Sequence, residues 1–170
     1  MPDLTIRRAT LQDMDDVARL CWAYRDVLVA RSTDLPAHMI DTYYAREDYG
    51  RLLSDLPRIH ARPKGDIIVA ETGGQTVGCA MYYPINATTT EIKRVFVDAA
   101  ARGLGAGRAL MRDGMARARA DGYSRMVLDT MVNLTEAIAL YEALGFAPCA
   151  PYYQADPELL PYLRFYDIPL

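Results

Sequence analysis

At 170 residues with 51% hydrophobic and 24% charged content, the chain has the length and balance for one folded domain with a substantial core. A net charge of −3 with no block of like charge argues against a nucleic-acid surface. The absence of an apolar run of about 18 residues argues against a membrane span, and Met1-Pro2-Asp3-Leu4-Thr5 lacks the basic and apolar regions of a signal peptide.

Three cysteines, Cys21, Cys79 and Cys149, are odd in number and far apart. They make neither a disulfide framework nor a zinc site, which points to a reducing, cytoplasmic setting and no metal.

The alternation from Leu4 to Arg8 predicts an opening strand. Thr10 and Asp13 stand in capping-box register, and Met14, Val17, Leu20, Cys21, Tyr24, Val27 and Leu28 form a helical stripe. Leu35-Pro36 breaks it, and a second helical region runs from about Ala37 to Ser54, carrying Tyr43, Tyr44 and Tyr49. Asp55 to Gly65, with Pro57 and Pro63, reads as a loop. Ile67–Glu71 and Thr76–Tyr83 read as strands joined across Gly73-Gly74. Pro84 to Thr89 is a turn and Glu91–Val97 the next strand. A helix follows from about Arg108 to Ala120, ended by Asp121-Gly122. Arg125–Asp129 is a strand, Leu134–Leu144 a helix, and Phe146–Cys149 and Leu163–Ile168 the final strands. No repeat or linker divides the chain, so residues 1–170 read as one domain.

The most informative stretch is Arg102-Gly103-Leu104-Gly105-Ala106-Gly107, between a strand and a helix. Glycines let the backbone approach an anion, and the first turn of a helix offers N–H groups without intrahelical partners plus the positive end of the dipole. This is geometry for a pyrophosphate. The spacing fails the dinucleotide fingerprint, and Gly107-Arg108-Ala109 lacks the Gly-Lys-Ser/Thr of a Walker A loop.

The pattern R-x-x-G-x-G at Arg102–Gly107, followed by Leu140-Tyr141-Glu142-Ala143-Leu144-Gly145-Phe146, resembles the GNAT superfamily of acyl-CoA-dependent N-acetyltransferases. Leu128-Asp129-Thr130, Ala137-Ile138-Ala139-Leu140-Tyr141 and Pro151-Tyr152-Tyr153 are similar to a bacterial branch whose substrates are mostly unassigned. The resemblance implies an α/β fold: a central, mostly antiparallel sheet, splayed at the acyl-CoA site, with helices on both faces. It implies acetyl-CoA as cosubstrate and a small-molecule or peptide amine as acceptor; dimers are common in the family.

Acetyl transfer from a thioester needs the thioester held, the amine neutral and the departing thiolate protonated. An alkyl ammonium has a pKa near ~10.4, so a base or proton path is required. By resemblance, Arg102, Gly103, Leu104, Gly105, Ala106, Gly107 and Arg108 form the pyrophosphate loop. Val95, Phe96 and Val97 expose backbone groups to the pantetheine arm, with an N–H near Val95 polarising the carbonyl. Tyr141 matches the family's thiolate-protonating tyrosine; its other reading is a half-buried core residue. Glu91, expected on the same face as Val95 and Val97, reads as a general base or a solvated strand end. Asn133 reads as a helix cap with Glu136 or as a coenzyme contact, although the family's Asn-x-x-Ala spacing falls on Leu134. Arg58, His60, Arg62 and Lys64 form either an anion-recognising or a solvated loop. Tyr43, Tyr44, Tyr152 and Tyr153 either line the acceptor pocket or pack. No cysteine falls in either motif, which favours direct attack. A non-catalytic acyl-CoA sensor is the alternative function, and only the enzyme needs Tyr141.

Overall fold

The computed structural model describes residues 3–170; Met1 and Pro2, part of the N-terminal reading, lie outside the described residues. The helices and strands run in the order β1 (Leu4–Arg8), α1 (Met14–Arg31), α2 (Ala37–Tyr43), α3 (Arg46–Ile59), β2 (Asp66–Thr72), β3 (Gln75–Pro84), β4 (Thr89–Val97), α4 (Ala106–Ala120), β5 (Arg125–Met131), α5 (Thr135–Ala143), β6 (Ala147–Pro148) and β7 (Leu163–Pro169). The strands make one sheet in the order β1-β2-β3-β4-β5-β7-β6. Every neighbouring pair is antiparallel except β4 with β5.

The central strands read as continuous apolar runs because both faces are covered. Ile68, Ala70, Ala80 and Tyr82 face α4 and α5, packing with Leu110, Met111 and Tyr141. Their neighbours Ile67, Val69, Cys79 and Met81 face α1 and α3, packing with Val17, Leu20, Tyr49 and Leu56. This period of two sorts one strand between two cores. Gly114 lets α4 lie close to the sheet: a Cβ there would stand 3.0 Å from the Ile92 Cδ1 atom. A third cluster joins Leu28, Leu35 and Met39 to Met131, Leu163 and Phe165 at one end of the sheet.

The region between Ala37 and Gly65 departs from expectation. One helical region becomes two, because Ala45 adopts an extended backbone between α2 and α3. Helix α3 then runs through Pro57 to Ile59, where a loop is predicted. Leu53 and Leu56 hold that last stretch on the core, which offsets the one ladder bond that Pro57, lacking an N–H, forfeits. The strand predicted over Phe146–Cys149 is only Ala147–Pro148.

Two irregularities interrupt the pairing of β4. First, β4 and β5 pair only from Thr89↔Arg125 to Glu91↔Val127. Beyond that point the strands diverge, leaving backbone groups of β4 without a ladder partner on that side. Second, the β3–β4 register shifts between Cys79↔Phe96 and Met81↔Lys93, so that Arg94 and Val95 together oppose Ala80. This is a β-bulge, and Arg94 takes a φ of 52°, in the left-handed region that costs a side chain energy.

Candidate active site

Two cavities flank the divergent end of β4. The larger, of 630 Å³, is lined by Val95, Phe96 and Val97 of β4, by Arg102, Gly103, Gly105, Ala106, Gly107 and Arg108, and by Leu140 and Tyr141 of α5. The separated motifs of the sequence therefore converge on one cleft. Leu104, in the middle of the loop, is 42% exposed and lies outside that lining.

The glycine turn is built as its sequence requires. Gly103 and Gly105 have φ values of 85° and 77°, and a Cβ placed on either meets nothing within 4 Å. The space beside them is open. Gly105 is the N-cap of α4, and the ladder begins with Ala109 N–H donating to the Gly105 carbonyl at 3.0 Å. The N–H groups of Ala106, Gly107 and Arg108 precede it and have no helical acceptor. The turn is thus a row of backbone donors at the positive end of a helix, with room for an anion. At its rim, Arg31 of α1 and Glu136 of α5 pair at 2.7 Å.

Tyr141 is 7% exposed, packed beside Phe146 with ring centroids 6.1 Å apart. Its hydroxyl has no hydrogen-bond partner among the described residues. Burial, and then the charge of Asp129, push its pKa well above that of an ordinary phenol, so the group stays protonated at neutral pH.

The second cavity, of 380 Å³, lies on the other side of β4. Tyr24, Tyr43, Tyr44, Tyr49 and Tyr153 wall it, with Lys93, Arg94, Asp129 and Asp156 among the polar groups. Tyr24 lines both cavities, its ring centroid 5.8 Å from that of Phe96, and so marks where they meet. Asp129 accepts a hydrogen bond from the Tyr153 hydroxyl at 2.5 Å and lies 3.9 Å from the Lys93 ammonium.

Glu91 is placed differently from its expected position. The bulge at Arg94 and Val95 resets the alternation, so Val95 and Val97 pack with Ile92 on the α4 face. Glu91, next to Ile92, points the other way. It is 2% exposed and lines neither cavity. Tyr83 and Tyr152 donate their hydroxyls to its two carboxylate oxygens, and Lys93 Nζ stands at 3.4 Å.

Asn133 is not the helix cap, which falls on Leu134. Its side-chain amide donates to the Arg31 carbonyl at the end of α1, and its Oδ1 is buried without a partner. It is outside the lining of the larger cavity. The basic segment disperses: Arg58 pairs with Asp55, Arg62 with Asp121, and His60 is 3% exposed with Nδ1 donating to the Tyr82 carbonyl at 2.9 Å. None of the four lines either of these two cavities. Of the tyrosine candidates, Tyr43, Tyr44 and Tyr153 reach the smaller cavity, while Tyr152 turns to Glu91. Sequence reasoning missed Tyr24, Arg94 and Asp129. Tyr24 is one member of a core stripe, and the other two gain their positions from the bulge and the strand divergence.

No helix among the described residues is long and apolar enough to cross a membrane. No group of His, Cys, Asp and Glu among them could hold a metal ion.

Comparison with known proteins gives one answer. The model of the acetyltransferase (GNAT) family matches residues 19–146. An uncharacterized N-acetyltransferase of Schizosaccharomyces pombe is 31% identical over 155 residues, covering 90% of this chain and 88% of the relative. The IAA acetyltransferase of Azospirillum brasilense is 32% identical over 171 residues, covering 100% of each. Among solved structures, a GNAT-family acetyltransferase from Staphylococcus aureus Mu50 superposes with a TM-score of 0.75 at 16% identity, covering 98% of this chain and 99% of that one. The PaiA N-acetyltransferase of Thermoplasma acidophilum, solved in complex with coenzyme A, gives 0.74 at 14% identity, with 99% of each covered. With a matched motif pair, a splayed mixed sheet and relatives spanning nearly its whole length, the chain belongs to the GNAT family of acetyltransferases and is an acyltransferase.

Proposed function

We propose that residues 1–170 act as one domain that transfers an acetyl group from acetyl-CoA to a primary amine by direct attack. The observation that carries this reading is that the two cavities share Tyr24 and take neighbouring residues of β4, Arg94 and Val95, just past the point where β4 and β5 stop pairing. An anion cradle lies at one end, and a tyrosine-walled, charged pocket at the other. The open space at Gly103 and Gly105 fits a pyrophosphate, and the unladdered edge of β4 fits an amide-bearing arm. Acetyl-CoA supplies the activated acyl group.

The amine is held in the smaller cavity as its ammonium, attracted by Asp129. Asp129 accepts the proton, directly or through a water, and the neutral nitrogen forms the new C–N bond as the C–S bond breaks. Tyr141 gives its proton to the sulfur. The products are the N-acetyl amine and free thiol: the ammonium's first proton leaves Asp129 to solvent, and the second, shed by the nitrogen once the C–N bond has formed, restores the Tyr141 hydroxyl through water. Glu91 is the carboxylate that sequence reasoning favours as base. Its enclosed position instead suits a positioning role, fixing Lys93 beside Asp129. The cysteines support direct transfer: none of the three lines either cavity. Cys21, Cys79 and Cys149 are all free thiols, which fits the reducing, cytoplasmic setting that the sequence suggests.

The test is thiol release from acetyl-CoA across a panel of small amines and peptides, with products identified by mass spectrometry. Acetylated amine formed in step with thiol is expected. Thiol release without an acetylated amine, or none with any acceptor despite bound acetyl-CoA, contradicts the reading.

A further inference from the structure

The smaller cavity contains a cation without a counterion. Six arginines of the described residues are buried or half-buried: Arg7, Arg25, Arg31, Arg94, Arg117 and Arg125. Five have a carboxylate within 4.0 Å, namely Asp13, Asp26, Glu136, Asp113 and Asp167. Arg94 alone has none among the described residues. Burying a guanidinium part-way without a counter-charge is costly, and the backbone beneath it is strained as well, at a φ of 52°. Two unfavourable features at one residue, both opening onto the same cavity, mark a position kept for a ligand.

The chemistry of that ligand follows from the rest of the lining. A guanidinium fork matches a planar carboxylate with two parallel hydrogen bonds. Asp129 and Asp156 line the same cavity and disfavour a doubly charged phosphate there. Asp129 also attracts an ammonium. Five tyrosines form the walls, which suit a flat apolar body. Resting on the acetyl-transfer reading above, we propose that the acceptor is an aromatic α-amino acid, with its carboxylate held by Arg94, its amine beside Asp129 and its ring among the tyrosines.

The experiment compares phenylalanine with phenethylamine, and tyrosine with tyramine, as acceptors of the full chain, by thiol release with acetyl-CoA. The readout is the ratio of kcat/KM for the amino acid over the amine that lacks only the carboxylate. For the unaltered chain the expected ratio is at least roughly a hundredfold, because a site built for a charged group is left with an unpaired partner when the group is missing. Arg94→Gln is expected to lower that ratio by a similar factor, and Arg94→Lys, which keeps the charge but not the fork, to lower it less. A merely structural Arg94 would lower both substrates together and leave the ratio alone, and that result overturns the proposal. So do equal rates with the decarboxylated amines. So does acetylation of other amines but of neither amino acid, which leaves the acetyl-transfer reading standing. Failure to bind acetyl-CoA, measured separately by calorimetry, overturns both.

Discussion

Replacing Tyr141 by phenylalanine separates chemistry from packing at this site. The ring is buried against Phe146, and the substitution keeps it there. The hydroxyl has no protein hydrogen bond to lose, so the change in unfolding free energy is expected to stay under about 1 kcal/mol. The effect on turnover is larger. General acid catalysis is worth roughly 10²–10⁴-fold, and a thiol with a pKa near ~8.5 is already a fair leaving group at neutral pH. The expected loss in kcat is therefore at the lower end, about a hundredfold, or about 3 kcal/mol of transition-state stabilisation. Affinity for acetyl-CoA should not change. The pKa of the phenol is raised by burial and by Asp129, so the acid form persists from pH 6 to about 10 and Tyr141 should add no limb to the pH–rate profile there. Steady-state thiol release, calorimetric binding and thermal unfolding of the two proteins measure the three quantities. A variant within twofold of the parent in kcat, with equal binding, refutes the role of Tyr141 as the acid.

Asp129→Asn removes the carboxylate proposed as base in the smaller cavity while keeping its shape. A loss of roughly a hundredfold in kcat/KM for the amine is expected; an unchanged kcat/KM would move the base elsewhere. Gly105→Ala places a Cβ on a residue at φ 77° and at the mouth of the anion cradle. It should cost about 1 kcal/mol or more in stability and weaken acetyl-CoA binding tenfold or more, read by calorimetry. His60 is buried neutral, its pKa lowered to about 4 by desolvation. The unfolded chain takes up this proton near ~6.5. The contribution of His60 to stability is thus present above that pH and lost as pH falls toward 4, amounting to about 3 kcal/mol at most. Denaturant titrations of the parent and His60→Asn at pH 7 and pH 4.5 should show a smaller decline in the variant.

Local chemistry made much of the site legible. Gly103 and Gly105 need left-handed backbone, and no other residue type meets that need so cheaply, so the turn before α4 announces itself. The strand 91–97 and the helix carrying Tyr141 follow from periodicity and from Gly145, which takes a φ of 98° after the helix. Glu91 shows the limit. Its expected face assumed unbroken alternation from Glu91 to Val97. The bulge at Arg94 and Val95 breaks that alternation, and a bulge is decided by pairing with β3, which periodicity within β4 does not encode. Arg94 and Asp129 were hidden for the same reason: each becomes a pocket residue only when β4 and β5 stop pairing after Glu91 and Val127. Asn133 failed differently. A good capping residue in the right register was outcompeted by the end of α1, whose Arg31 carbonyl accepts its amide hydrogen.

The central claim is that the glycine turn and the split sheet hold an acyl-CoA. Calorimetric titration of the purified chain with acetyl-CoA, beside dephospho-CoA as comparison, tests it most directly. One-to-one binding at micromolar affinity or tighter is the expected result. A folded protein that binds neither would contradict the account and leave family membership and fold without a working coenzyme site.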